Sequence, residues 1–225
     1  MVDLEETNGF AIALAWPETK CKQAGAWYDP LLYHLGINKN GYYKIGHSAV
    51  VLINPDTMRC HYFDFGRYHA PHGYGRVRSF ETDHDLLIET KAILSEDEKE
   101  VLNLEEILTE LYFNRSTHGD GRIVGISTAV NFTEAIQYAY DLQDNDFLKY
   151  GPFQIGGTNC SRFVSDLIKT STPSTFLKVK LQFPLTISPS PMWNLWSIGR
   201  RHSIIGRSIP EQTESMQLII NQLSL

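Results

Sequence analysis

Apolar and polar positions along the chain follow short blocks rather than one long period. Gly9–Trp16 sets large apolar residues against small ones and stops at Pro17, the pattern of a buried strand with a breaker after it. Trp27, Leu31, Leu32 and Leu35 recur at helical spacing, with Gly36 as a stop signal before the turn-rich residues 38–41. Residues 45–53 and 58–65 are strand-like runs on either side of Asn54-Pro55-Asp56-Thr57, which predicts a hairpin with Ile53 opposite Met58. Alternation predicts a strand over 86–94, and Leu104, Ile107, Leu108 and Leu111 predict an amphipathic helix over 102–113. A strand over 121–130 follows, then a helix through Ala135, Ile136, Tyr138, Ala139 and Leu142, capped by Asn131 or Thr133. Phe163, Val164, Leu167 and Ile168 mark another helix, opened by a glycine-rich loop and capped by Thr158 or Asn159. Residues 176–185 read as a strand, Ser188-Pro189-Ser190-Pro191 breaks it before an aromatic segment, and the tail from Glu211 is helical in pattern. With no internal repeat and no clear linker, this order predicts one α+β domain over 1–225, with residues 80–148 as a helical insertion.

Composition narrows the function classes. At 225 residues with 42% hydrophobic and 20% charged residues, the chain is long enough for a sizeable core and is not of disordered type. A net charge of −6 without a dense basic run argues against a nucleic-acid surface, and the Arg200, Arg201 and Arg207 group reads as surface solvation. The acidic N-terminus lacks the pattern of a secretory signal, and no apolar stretch is long enough to span a bilayer. Cys21, Cys60 and Cys160 are odd in number and widely spaced, neither a disulfide framework nor a zinc pattern, so reduced thiols in a cytoplasmic setting are expected.

The candidate chemistry centres on Cys160. A thiol in the first turn of a helix sits beside unpaired backbone N–H groups and a partial positive charge, which favours the thiolate. The same N–H groups suit an oxyanion. The opposing consideration is that a lone cysteine at a helix start is more often packing than chemistry. In the expected hairpin register His47 lies opposite Asp64, an orienting pair for a general base. A slip of one residue would send Asp64 to the other face, and His61 is the rival third residue. Cys60 reads as core, and Cys21 stays unassigned. Residues 66–78, with Arg67 and Tyr68, are expected to wall a cleft; Trp16, Trp27 and Tyr28 either line it or belong to the core, the commoner place for aromatics at such spacing, and Asn159 adjoins the cysteine. His69 and His72 lie three apart, but Pro71 and Gly73 disfavour a helix there and no carboxylate completes a metal site.

A histidine strand of the form Gly-His-Ser-Ala-Val-Val-Leu-Ile, followed far downstream by Asn-Cys-Ser-Arg-Phe-Val at a helix start, resembles the circularly permuted branch of the NlpC-type papain-like superfamily, to which lecithin retinol acyltransferase and its relatives belong. The Phe-Asp-Phe-Gly-Arg-Tyr and Gly-Tyr-Gly-Arg-Val-Arg-Ser runs are also similar to an uncharacterised family of Bacteroidetes-type bacterial proteins. The first resemblance implies a papain-like antiparallel sheet packed against the cysteine-bearing helix. It also implies Cys160 as nucleophile, His47 as base and Asp64 as orienting residue; Asn159, Tyr68, Arg67 and Trp27 are expected near the substrate from their places in the chain. The expected function is a cysteine hydrolase, a peptidase or amidase acting on a peptide, a peptidoglycan fragment or a related acyl substrate, needing no metal or organic cofactor. The alternatives are a non-catalytic ligand-binding module on the same fold and a thiol acyltransferase or lipid hydrolase. Asp64 stands where many relatives carry another polar residue, and the acyltransferases' membrane segment is missing here.

Overall fold

The alternation in Gly9–Trp16 is that of a strand covered on both faces. The computed structural model describes residues 7–22, 38–39, 42–43, 45–97, 99–151, 156–184 and 188–207. In it Gly9–Trp16 forms β1, every residue of which is buried. Ala11, Ala13 and Ala15 face one core while Phe10, Ile12, Leu14 and Trp16 face the other. Small residues on one face let helices come close, and large ones on the other fill the gap to the opposite layer.

Strand β1 pairs antiparallel with β5 (His47–Ile53) and with β8 (Ile123–Val130). Two-residue strands β2 (Cys21–Lys22), β3 (Asn38–Lys39) and β4 (Tyr42–Tyr43) form a small separate sheet. The main sheet is completed by β6 (Cys60–Gly66), β7 (Tyr74–Arg78), β9 (Leu148–Lys149) and β10 (Ser203–Ile205), in the order β10-β8-β1-β5-β6-β7-β9. All six pairings are antiparallel.

Helices cover both faces. On one side α1 (Leu104–Phe113) buries Ile107, Leu108 and Leu111 against Ile12, Leu14, Val51 and Tyr62. On the other lie α2 (Phe132–Asp144), α3 (Cys160–Ser171), α4 (Thr175–Gln182) and α5 (Pro191–Ile198). Asn131 caps α2 by accepting from Glu134 N–H, the first of the two expected candidates. Residues 80–148, set apart by their pattern, thus supply β8, which lies between β10 and β1, and a helix to each face.

Two expected strands are corrected. Residues 86–94 do alternate in burial, with Leu86, Ile88 and Ala92 inside and Leu87 and Ile93 exposed. No ladder forms there beyond the single bridge of Leu94 to Val101, because other groups take the backbone donors. Glu110 accepts from Glu89 and Thr90 N–H, Asn103 Oδ1 from Ile93 N–H, and Met58 O from Ala92 N–H. Residues 176–185 fall largely in α4, capped by Ser174 and anchored by Leu177 and Leu181, one helical turn apart. The helix expected over Trp27 to Leu35 and the tail from Glu211 lie outside the described residues.

The hairpin register also differs. Ile53 faces Cys60 and Ala49 faces Asp64, two residues from the expected pairing. Residues 54–59 make a longer loop, in which Asn54 O accepts from Met58 N–H while Asn54 Oδ1 accepts from Asp56 and Thr57 N–H. Met58 adopts a left-handed φ of 57° to close it. A slip of two preserves parity, so His47 and Asp64 still share a face and His61 points to the other.

Candidate active site

The site forms where β5 begins, β6 ends and α3 starts. Gly46 precedes His47 with φ +74°, and a Cβ there would stand 2.9 Å from Trp16 O, so this entry to β5 requires glycine. Directly opposite Trp16 in the ladder, His47 stacks on its indole at a centroid distance of 5.7 Å. Imidazole Nε2 lies 3.2 Å from Asp64 Oδ2. Ala49, the residue facing Asp64, offers only a methyl group and leaves that approach open.

Asp64 is wholly buried and saturated with donors. Its other ladder neighbour is Arg78 on β7, whose Nε donates to Oδ1 at 3.0 Å and whose terminal nitrogen donates to Oδ2 at 2.6 Å. Tyr62 and Tyr68 hydroxyls each donate to Oδ2 at 3.1 Å. Burial alone would raise this carboxyl, yet the His47 hydrogen bond and the Arg78 charge hold it at about 2.

Cys160 opens α3 and is buried beside the start of β5. Asn159 is the N-cap, its Oδ1 accepting from Arg162 N–H at 2.9 Å while its Nδ2 donates to Ser188 Oγ at 2.7 Å. Phe163, Val164, Leu167 and Ile168 pack against Val50, Leu52, Phe63 and Phe65, which fixes the helix on the sheet and its first turn at the strand ends. Burial disfavours a thiolate, but hydrogen bonding and charge from His47, a Ser48 backbone N–H and the Ser161 hydroxyl lower the Cys160 pKa below its ordinary value. In return, and again against burial, Asp64 and Cys160 raise His47 to about 9. Nε2 is engaged by Asp64 and by the Tyr68 hydroxyl, and Nδ1 is the other ring nitrogen.

The other cysteines behave in the opposite way. Burial pushes both Cys21 and Cys60 up to about 12. Cys60 sits in the core as expected, whereas Cys21, with no histidine near it in sequence, lies close enough to Cys160 to feel its charge. His61 faces away, against the Phe132 ring at 6.1 Å, and burial lowers its pKa.

Of the residues expected near substrate, Tyr68 is turned inward, its hydroxyl 3.3 Å from His47 Nε2 and its ring stacked on His118 at 5.2 Å. Arg67 lies over the Tyr150 ring at 5.4 Å, and Trp27 is outside the described residues. Sequence reasoning missed Arg78 and Tyr62. Tyr62 lies two residues from Asp64, a same-face signal, but Arg78 becomes visible only once β7 is registered on β6. Among the described residues no group of three or more His, Cys, Asp or Glu side chains is placed to hold a metal ion, and no helix is long and apolar enough to cross a membrane.

Comparison with curated proteins finds no match. The crystal structure of the Type VI secretion system effector TseH superposes with a TM-score of 0.51 at 19% identity, over 85% of this chain and 88% of that one, a likeness of fold. The pattern of the family described as Type VI secretion system effector TseH-like matches residues 11–176, which include most of β1, the His47 strand, Asp64 and the Cys160 helix. The chain belongs to the TseH-like family of Type VI secretion system effectors.

Proposed function

We propose that this chain is an effector hydrolase of papain-like, permuted NlpC type that cleaves an amide or related acyl bond in a peptide or peptidoglycan fragment through Cys160, His47 and Asp64. One observation carries the reading: Cys160 stands in the first turn of the helix capped by Asn159, beside the start of the strand on which His47 is held to Asp64 at 3.2 Å, and this juxtaposition favours the thiolate and the imidazolium together. Membership of an effector family and the packing of the cysteine helix on an antiparallel sheet agree with it.

In this reading the Cys160 thiolate attacks the substrate carbonyl, and the oxyanion that forms faces the N–H groups at the start of α3. Imidazolium Nδ1–H of His47 protonates the leaving amine as the tetrahedral species collapses to a thioester. Neutral His47 then takes a proton from water, whose oxygen attacks the thioester and releases the acid and the thiolate. Asp64 holds the Nε2–H throughout and keeps the ring in one tautomer.

The test is acyl transfer onto the protein from an activated ester, followed by peptide mapping, with peptide, muropeptide, lipid-ester and thioester substrates screened in parallel. An acyl group on Cys160 that water releases, absent from Cys160→Ser, is the expected result. An acyl group that leaves only to an added amine or alcohol would identify an acyltransferase. Absence of any Cys160 adduct with every donor would favour a binding module.

A further inference from the structure

Arg78 lies outside the three residues of that reading, yet it makes the shortest contact in the site. Its guanidinium grips both oxygens of Asp64, at 3.0 and 2.6 Å, and its central carbon lies 3.4 Å over the Tyr68 ring. Tyr68 in turn reaches both Asp64 Oδ2 and His47 Nε2. Arg78 is 3% exposed, a degree of burial that a guanidinium tolerates only with a full set of partners. The ladder places it there, since Arg78 faces Asp64 directly across β6 and β7. The loop carrying Tyr68 is held by the same strand, with Arg76 Nε donating to Tyr68 O at 2.9 Å and both of its terminal nitrogens on Asp83.

We infer that Arg78 is a positioning residue for the His47–Cys160 pair: its fork fixes the plane of the Asp64 carboxylate, and its charge offsets part of the negative charge that Asp64 presents to His47. This inference rests on the hydrolase reading and deepens it. Arg78, Asp64, His47 and Cys160 are all buried, and on the hydrolase reading they form a row of alternating charge, plus, minus, plus, minus. Asp64 facing His47 alone would hold the imidazole proton too tightly for it to pass to a leaving group. Arg78 draws the carboxylate the other way, so the proton stays on Nδ1 at neutral pH and remains transferable. Besides these four, Tyr62, Tyr68 and His118 are, among the described residues, the titratable groups facing the carboxylate and imidazole. The tyrosine hydroxyls stay neutral because burial and the Asp64 charge push them well above their ordinary range.

The experiment compares Arg78→Met and Arg78→Lys with the wild type in two readings. These are the pH dependence of turnover on the best substrate of the screen and the rate of Cys160 alkylation by iodoacetamide, with folding checked by thermal denaturation. For Arg78→Met we expect a loss of about 10- to 100-fold in turnover, the usual effect of removing a group that orients a reacting one. The alkaline limb should also move to higher pH. Arg78→Lys keeps the charge and loses the fork; it should leave the limb in place while turnover falls about tenfold. A folded Arg78→Met with an unmoved pH profile overturns the inference, as does Arg78→Lys with wild-type turnover; the lysine variant decides if the methionine variant does not fold. Failure of the hydrolase reading looks different, since wild-type alkylation would then not depend on His47 at all.

Discussion

His47 Nε2 and Asp64 Oδ2 stand 3.2 Å apart although the two residues do not face each other in the ladder, where Asp64 faces Ala49. The imidazole reaches diagonally over that methyl, and the carboxylate it meets is already held from the far side by Arg78. Asp64→Asn therefore has two consequences. The amide favours the wrong imidazole tautomer, and turnover should fall by up to about 10⁴-fold, as in serine triads. It also leaves a buried guanidinium without its anion, at a cost of about 3–5 kcal/mol. The exchange is nearly isosteric, yet the Arg78 contact predicts a clear loss in urea stability as well. His61→Ala, on the opposite face, should leave Cys160 alkylation within about twofold of wild type, the range left by small surface-type effects.

Asn159 reads from sequence as a cap or a substrate contact, and its hydrogen bonds favour the cap. Asn159→Ala should cost about 1 kcal/mol of stability and slow Cys160 alkylation, while Asn159→Ser should restore both. A large rise in KM with unchanged stability would instead assign the side chain to substrate.

Trp16 presses on the His47 ring and is itself packed against Gly119, where a Cβ would come within 2.3 Å of the indole. Gly119→Ala should move the indole, lower stability by about 1–3 kcal/mol through overpacking, and slow Cys160 alkylation. Loss of stability with an unchanged alkylation rate would show that the stack does not hold the imidazole.

The pH profile of stability follows from the shifts. Asp64 is depressed from 3.8 to about 2, so its contribution is present above 3.8 and is lost as pH falls through 2. His47 is raised from 6.5 to about 9, so its contribution is present below 6.5 and is lost as pH rises through 9. In Cys160→Ser, which removes both the thiol's own opposing titration and its share in raising His47, Asp64 still holds the imidazolium, so urea stability should be highest between about pH 4 and 6.5, falling on the acid side with Asp64 and on the alkaline side at a lower pH than the wild-type imidazole would give. A monotonic rise of stability from pH 5 to 9 would contradict the raised imidazole.

Much of this site was legible because strand chemistry has a period of two. The longer loop at 54–59 moved the hairpin register by two residues, and the parity that joins His47 to Asp64 and excludes His61 survived. Strand β1 and the Cys160 helix were legible for a related reason, since each has an apolar pattern matched to its own period. Alternation misled where its cause was different. At 86–94 a chain tied down by Glu110 and Asn103 buries every second side chain without a partner strand. At 176–185 the Ser174 cap and the Leu177 and Leu181 spacing outweigh the alternation. Arg78 and Cys21 were out of reach because their roles depend on neighbours brought together by folding alone.

The account rests on a Cys160 thiolate stabilised by His47, and the rate of thiol alkylation against pH measures that state. Iodoacetamide labelling of the wild type, resolved by peptide mapping, should modify Cys160 at a pH below the ordinary thiol range and ahead of Cys21 and Cys60, which burial holds at about 12. In His47→Ala the Cys160 limb should move up to or beyond the ordinary thiol range. Equal labelling of the three cysteines, or a Cys160 profile that His47→Ala leaves unchanged, would contradict the account.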